Sequence, residues 1–270
     1  MKKFLVVLLA VAMVFAFAAC GDNSNDEPVT SGGEEQHDPV TIMVVAAAAS
    51  LENTYVDQII PAFTAKYDWI TVEGTYDSSG KLQTQIEEGL NADIFMSAAT
   101  KQMNALVDES LIDADSVVDL LENKVVLIEP ASTPSGITGF EDAANAEIIA
   151  IGDPESVPAG QYAQEIFTNL GNWDAVLAKA SLGTNVTEVL SWVEAASATI
   201  GVVYATDAAS SQGVKVIAEA PEGSLATPVI YPVGILTNSA NKEAAQLFVD
   251  FLQSDEAIAI FETAGFSSNL

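Results

Sequence analysis

The 270-residue sequence contains no arginine, one cysteine and one histidine. Without arginine, any anion site must do without the guanidinium fork that grips oxyanions through two parallel hydrogen bonds. With Cys20 alone, no intramolecular disulfide can form and no thiol pair is available for redox or metal chemistry. The single imidazole, His37, and the single thiol both precede residue 40, which excludes Ser–His and Cys–His nucleophilic chemistry from the rest of the chain. Positive charge is scarce: nine lysines stand against 38 Asp and Glu, a formal charge of −29. A field of that sign excludes nucleic acid as a partner.

What is present begins with MKKFLVVLLAVAMVFAFAAC, two lysines ahead of an apolar stretch that ends in small residues. This is signal-peptide architecture over residues 1–19. A retained membrane helix is the competing reading, but a spanning helix needs about 20 apolar residues, and this one breaks at Cys20 into the polar GDNSNDEP. Ala18, Ala19 and Cys20 resemble a bacterial lipoprotein cleavage box, which implies a diacylglyceryl group on the Cys20 sulfur and a protein held on the outer face of the cell membrane. Phe17 stands where that box has an aliphatic residue, and an ordinary secretory signal with an incidental cysteine is the alternative. Cleavage before Cys20 removes two lysines and no acid, leaving seven lysines against 38 acids, or −31. Residues 20–39 are rich in Ser, Gly, Asn and acids with little to bury, as expected of a flexible acidic tether.

From Val40 onward short apolar runs alternate with helix-period segments, the pattern of an α/β protein. Strands are expected at 40–47, 70–76, 93–98, 124–130, 147–154, 200–206, 214–219 and 227–236. Helices are expected over 51–66, 81–88, 101–107, from about Gln161, over 186–196, and at 240–252 and 255–263. Pro61 falls inside the first helix, where it should remove a hydrogen bond and kink the axis. The length and the apolar fraction of 49% suffice for one large or two small domains, each with a sizeable core. Internal repeats and low-complexity tracts are not seen after the tether.

Four places share one device: Ser, Thr, Asn or Pro delivered to the first position of a helix. They are Ser50, the pair Ser78 and Ser79, the Pro158–Ala159 turn, and Asn185. Each helix start leaves amide N–H groups unpaired and presents a positive dipole end, a ready anion site. Taken singly, each is also an ordinary N-cap, and Asn185 with Glu188 has capping-box spacing. Tyr204, taken alone, is more often a half-buried core tyrosine. Lys81, the only cation beside such a turn, reads as a solvated helix-start lysine.

The combination resembles the ModA-type periplasmic molybdate-binding proteins over residues 40–266. The matching stretches are AAASL (47–51), SSGKLQTQIEEG (78–89), NADIFMSA (91–98), GDPESVPAGQYA (152–163), LGNWD (170–174), GVVYATDA (201–208) and GVKVIA (213–218). The resemblance implies a two-lobed type II periplasmic-binding-protein clamshell with a mixed sheet in each lobe, lobe 1 formed by 40–123 plus 233–270 and lobe 2 by 124–232. It places the oxyanion on Ser50, Ser79, Ala159, Val186 and Tyr204, with Ser78 as an alternative to Ser79. Molybdenum or tungsten would be bound only as the oxyanion, with no cofactor. The implied partners are an ABC permease and its ATPase, the receptor acting as a monomer.

Neutral donors suit a fully ionised oxyanion, whereas a protonated phosphate needs an acceptor, which Asp77 is placed to offer. Sulfate shares the charge and shape of molybdate, so a sulfate receptor of the same fold is the nearest alternative. A carboxylate-based hydrolase is formally open, but no pair of acids stands out, and no enzyme is expected. The acidic run DESLIDADSVVD (108–119) lacks the glycine and terminal glutamate of a calcium loop and reads as a solvated surface.

Overall fold

The first strand, β1 (Val40–Ala48), sets the layering of the first lobe, because alternate side chains on a strand leave it on opposite faces. Val45 and Ala47 enter one core with Ile94 and Met96, and Ala46 enters another with Leu82, Phe95, Met103 and Leu106. A sheet apolar on both faces must be covered on both, and helices do this here. The computed structural model describes residues 40–270. The expected signal peptide and tether, with Cys20 and His37, lie outside these residues.

In chain order, β1 is followed by β2 (Ile70–Asp77), β3 (Ile94–Met96) and β4 (Val118–Asn123). Next come β5 (Val125–Pro130), β6 (Ile149–Gly152), β7 (Ala180–Gly183), β8 (Ile200–Tyr204) and β9 (Val214–Glu219). The chain then returns through β10 (Val229–Ile235) and β11 (Ser267–Ser268). Two sheets result, ordered β11-β4-β10-β3-β1-β2 and β7-β6-β8-β5-β9. In the first, β1 pairs parallel with β2 and β3, and β10 runs antiparallel to β3 and β4. In the second, β6 pairs parallel with β7 and β8, and β5 antiparallel with β8 and β9. The protein is thus α/β and two-lobed with a mixed sheet in each lobe. Only Lys124 separates β4 from β5, so one crossing between lobes is as short as a chain permits.

The helices are α1 (Glu52–Thr54), α2 (Ile60–Lys66), α3 (Ser79–Glu87), α4 (Thr100–Asp108), α5 (Pro158–Asn169), α6 (Trp173–Leu177), α7 (Val186–Glu194), α8 (Ala205–Ser210), α9 (Lys242–Leu252) and α10 (Asp255–Thr263). The expected kink at Pro61 takes a particular form. A π-turn over Tyr55–Ile59 joins α1 to α2, widening the coil just ahead of the residue that has no N–H to donate.

The structure corrects three expectations and bears out a fourth. The helix expected from Gln161 begins at Pro158, where proline's missing N–H costs nothing at N1. The strand expected over 200–206 ends at Tyr204, because Asp207 accepts the Tyr204 N–H at 3.0 Å and starts α8. The acidic run at 108–119 keeps Asp108, Glu109, Asp113, Asp115 and Asp119 exposed, as expected of a solvated surface, and leads into β4, a strand not expected from the sequence. Finally, β7 and α6 are additional elements; β7 is built from Ala, Ser, Leu and Gly, which carry little strand signal.

Candidate oxyanion site

Ligands of open α/β sheets sit beyond the carboxyl ends of parallel strands. Both lobes offer such ends, and they face each other. From the first come Ala48, Ala49 and Ser50 after β1, Ser78 and Ser79 after β2, and Ala98 after β3. From the second come Val157, Pro158 and Ala159 after β6, Val186 after β7, and Tyr204 at the end of β8. Together these residues enclose a small cavity of ≈ 10 Å³. That is about the least that admits a single water-sized group, so only a compact ligand in direct contact with the lining fits. The structure therefore brings together all six residues singled out from the sequence: Ser50, Ser78, Ser79, Ala159, Val186 and Tyr204.

Each is held by identifiable chemistry. The GDPxxVPAG turn is built on close approach: a Cβ on Gly160 would collide with the Gly152 carbonyl, and one on Gly152 would meet Val157 Cγ1 at 2.5 Å. This packs the start of α5 onto the end of β6, with the Asp153 amide tied to the Gly183 carbonyl at 2.8 Å. Ala159 is then the second residue of α5 and Val186 the first of α7, positions whose amides have no acceptor within their own helix. Asn185 caps α7 by accepting the Glu188 N–H at 2.9 Å. Glu188 reaches back one residue further than a capping box would, to the Thr184 N–H at 2.7 Å.

The hydroxyls fall into three states. Ser79 Oγ, fully buried, accepts the Ala98 N–H at 3.0 Å, which leaves its own proton free to donate. Ser78 and Tyr204 are 3% and 1% exposed, and neither hydroxyl has a hydrogen-bond partner in the protein. Ser50 Oγ lies 2.9 Å from the Tyr231 hydroxyl, which also accepts from Asn123 Nδ2 at 3.3 Å. Asn123 donates there and to Thr206 Oγ1 at 2.9 Å; either hydroxyl can be the donor in the Ser50–Tyr231 pair, and when Tyr231 donates, the Ser50 proton is free for the cavity. Tyr231, Asn123 and Thr206 were not singled out from the sequence. Tyr231 and Asn123 lie 108 positions apart, and no local motif joins them.

Electrostatically the cavity is lined by neutral groups throughout. Burial, and after it the neighbouring Tyr231, drive the Tyr204 phenol well above its ordinary range, so it remains a neutral O–H donor. The two rings meet edge to face with centroids 5.6 Å apart, although the Tyr204 hydroxyl makes no hydrogen bond of acceptable geometry to Tyr231. Behind Tyr204, burial raises Asp207 from 3.8 to about 7, against the opposing pull of the Tyr204 N–H. Lys81 is not in the lining; its side chain pairs with Asp77 at 3.3 Å and is 36% exposed. Asp77 is not in the lining either, and its Oδ1 accepts from Ser78 N, Lys81 Nζ and Asn185 Nδ2. A larger groove of ≈ 210 Å³ opens next to Ser50, but Glu52, Asp57 and Asp207 line it and disfavour an anion. Among the described residues no group of three or more His, Cys, Asp or Glu is placed to hold a metal ion, and no helix is long and apolar enough to cross a membrane.

Residues 43–267 match the family model described as bacterial extracellular solute-binding protein. A Bacillus subtilis protein that carries the name of an ABC transporter substrate-binding lipoprotein, YvgL, is 36% identical over 267 residues, covering 99% of both chains. The molybdate-binding protein ModA of Escherichia coli is 37% identical over 231 residues, covering 83% of this chain and 88% of its own. Among solved structures, the periplasmic molybdate-binding protein of Azotobacter vinelandii superposes with a TM-score of 0.72 over 83% of this chain and 98% of its own, at 23% identity.

Proposed function

Because the chain belongs to the bacterial extracellular solute-binding proteins, as a ModA-type member, we propose that its interlobe cavity captures molybdate, and tungstate with it, for delivery to an ABC importer. The observation that carries this reading is the donor set. Two buried hydroxyls without protein partners, Ser78 and Tyr204, share the cavity with free helix-start amides and no charged side chain. Such a site stabilises a fully ionised tetrahedral oxyanion. Micromolar capture corresponds to about 8 kcal/mol, and hydrogen bonds to charged groups contribute about 1.5–3 kcal/mol each, so six donors reach the required order. The acidic exterior does not oppose this at short range, since exposed charges beyond a Debye length of about 8 Å are largely screened.

Phosphate at neutral pH retains a proton that needs an acceptor. The nearest candidate, Asp77, stands outside the lining with three donors already on one oxygen. Sulfate matches molybdate in charge and shape, and the preference for the larger ions rests on the relatives. Titrating the domain from residue 40 with molybdate, tungstate, sulfate and phosphate, by heat or by fluorescence of Trp69, Trp173 and Trp192, tests the reading. Sub-micromolar binding of molybdate and tungstate is expected; sulfate binding without molybdate binding would refute it.

The receptor acts as a monomer, tethered to the outer face of the membrane through a lipid on Cys20 and docking on a permease with its ATPase. Support for the anchor comes from the Ala18-Ala19-Cys20 box and from the lipoprotein name of the B. subtilis relative.

A further inference from the structure

A carboxylate beside an anion site is unexpected, and Asp77 directly precedes the two serines that line the cavity. Its contacts explain its presence. Oδ1 accepts the Ser78 N–H at 2.8 Å within its own lobe and Asn185 Nδ2 at 3.3 Å from the other lobe. Those two donors are the N-cap residues of α3 and α7. Both helices aim their positive ends at the cavity, so closing the lobes brings like partial charges together. A carboxylate bonded to both caps offsets that repulsion. At the second residue of α3, the Gly80 N–H donates to the Ser156 carbonyl of the opposite lobe at 2.9 Å. Glycine is required for this approach: a Cβ there would collide with the Ser156 carbonyl oxygen and lie 2.8 Å from its Cα and 2.9 Å from its carbonyl carbon. A third bridge, Gln102 Nε2 to Gln161 Oε1 at 3.2 Å, lies on the same rim.

We infer that Asp77–Asn185 and Gly80–Ser156 form a latch belonging to the protein itself, which shuts the lobes beside the cavity and places the α7 amide of Val186 on the ligand. Asp77 and Gly80 are thus positioning residues for oxyanion capture and not ligands. The latch sets how long the closed state lasts, and so how slowly the ligand leaves. Only the identity of the ligand rests on the reading proposed above.

Two variants separate the latch from mere structural support. Gly80→Ala places the better helix former in α3, so the ligand-free melting temperature should hold or rise while molybdate binds at least tenfold more weakly and leaves faster. Asn185→Asp keeps a good N-cap but sets a carboxylate against Asp77, and should weaken binding by a similar factor. Adding Asp77→Asn to Asn185→Asp exchanges donor and acceptor and should recover most of the loss. Inter-lobe distances from paired spin labels, measured without ligand, should shift toward the open state in Gly80→Ala and in Asn185→Asp. Wild-type affinity and wild-type distances in both single variants would overturn the latch. Should the wild type fail to bind molybdate, the ligand-free distances still decide the latch, so the two failures are told apart.

Discussion

Replacing Tyr204 by phenylalanine separates binding from folding in a way few substitutions can. The ring is 1% exposed and packs edge to face on Tyr231 and Tyr162, with centroids 5.6 and 6.5 Å away, contacts that phenylalanine retains. The hydroxyl has no hydrogen-bond partner in the protein. A buried polar group left unsatisfied costs about 1–3 kcal/mol, so its removal should leave the ligand-free protein at least as stable as the wild type. With an oxyanion bound, the same hydroxyl donates to a charged oxygen, worth about 1.5–3 kcal/mol, and its loss should raise Kd by about 10- to 150-fold. Since burial holds the phenol well above its ordinary range, the ratio of variant to wild-type Kd should be flat from about pH 6 to 9. Calorimetric titration with molybdate, paired with urea denaturation of the ligand-free proteins, reads both quantities. An unchanged Kd would remove Tyr204 from the site. A loss of more than about 1 kcal/mol in the ligand-free protein would mean that the hydroxyl serves the fold instead.

Asp207→Asn should stabilise the protein in a pH-dependent way. The folded state holds this carboxyl at about 7 against 3.8 unfolded, so the stability tied to its proton is present below about pH 4 and is lost as pH rises through 7. The amide keeps an acceptor for the Tyr204 N–H, so the variant's advantage should be near zero at about pH 4 and grow by about 1.4 kcal/mol per pH unit to about pH 7; a difference that does not vary with pH would contradict this. Gly160→Ala drives a Cβ to 2.5 Å from the Gly152 carbonyl carbon; overpacking of that kind costs about 1–3 kcal/mol and displaces the Ala159 amide, so thermal denaturation and titration should show stability and affinity falling together. Cys20→Ser should move the protein from the membrane fraction to the medium on cell fractionation, and continued membrane association would argue against the lipid anchor.

Uninterrupted apolar runs announced their strands, as in β5, where every residue from Val125 to Pro130 is buried. The apolar run of β1, broken only by Thr41, likewise announced its strand, and such a run is that of a strand covered on both faces. The end of β8 was the harder case, because Val, Tyr, Ala and Thr in succession look extended. Asp207, three residues after Tyr204, was the signal for a helix start and is visible in the sequence with hindsight. For the cavity, the turns at Ser50, Ser78–Ser79, Pro158–Ala159 and Asn185 were readable one at a time, since each is a local helix start. Their convergence was implied only by family resemblance. The support behind Ser50 was not readable at all: Asn123 reaches Thr206 across 83 positions and Tyr231 across 108, and a polar residue in a strand does not announce that its amide is buried.

Two of the six donors around the cavity are peptide groups, those of Ala159 and Val186. Replacing the side chains at these positions leaves both N–H groups in place, so an alanine scan would pass over a third of the recognition set in silence. Hydrogen exchange with and without the ion would register them, as would exchanging the amide for an ester by chemical synthesis. It also follows that drift in sequence at these two positions need not erode what the receptor recognises, provided the turn keeps its path.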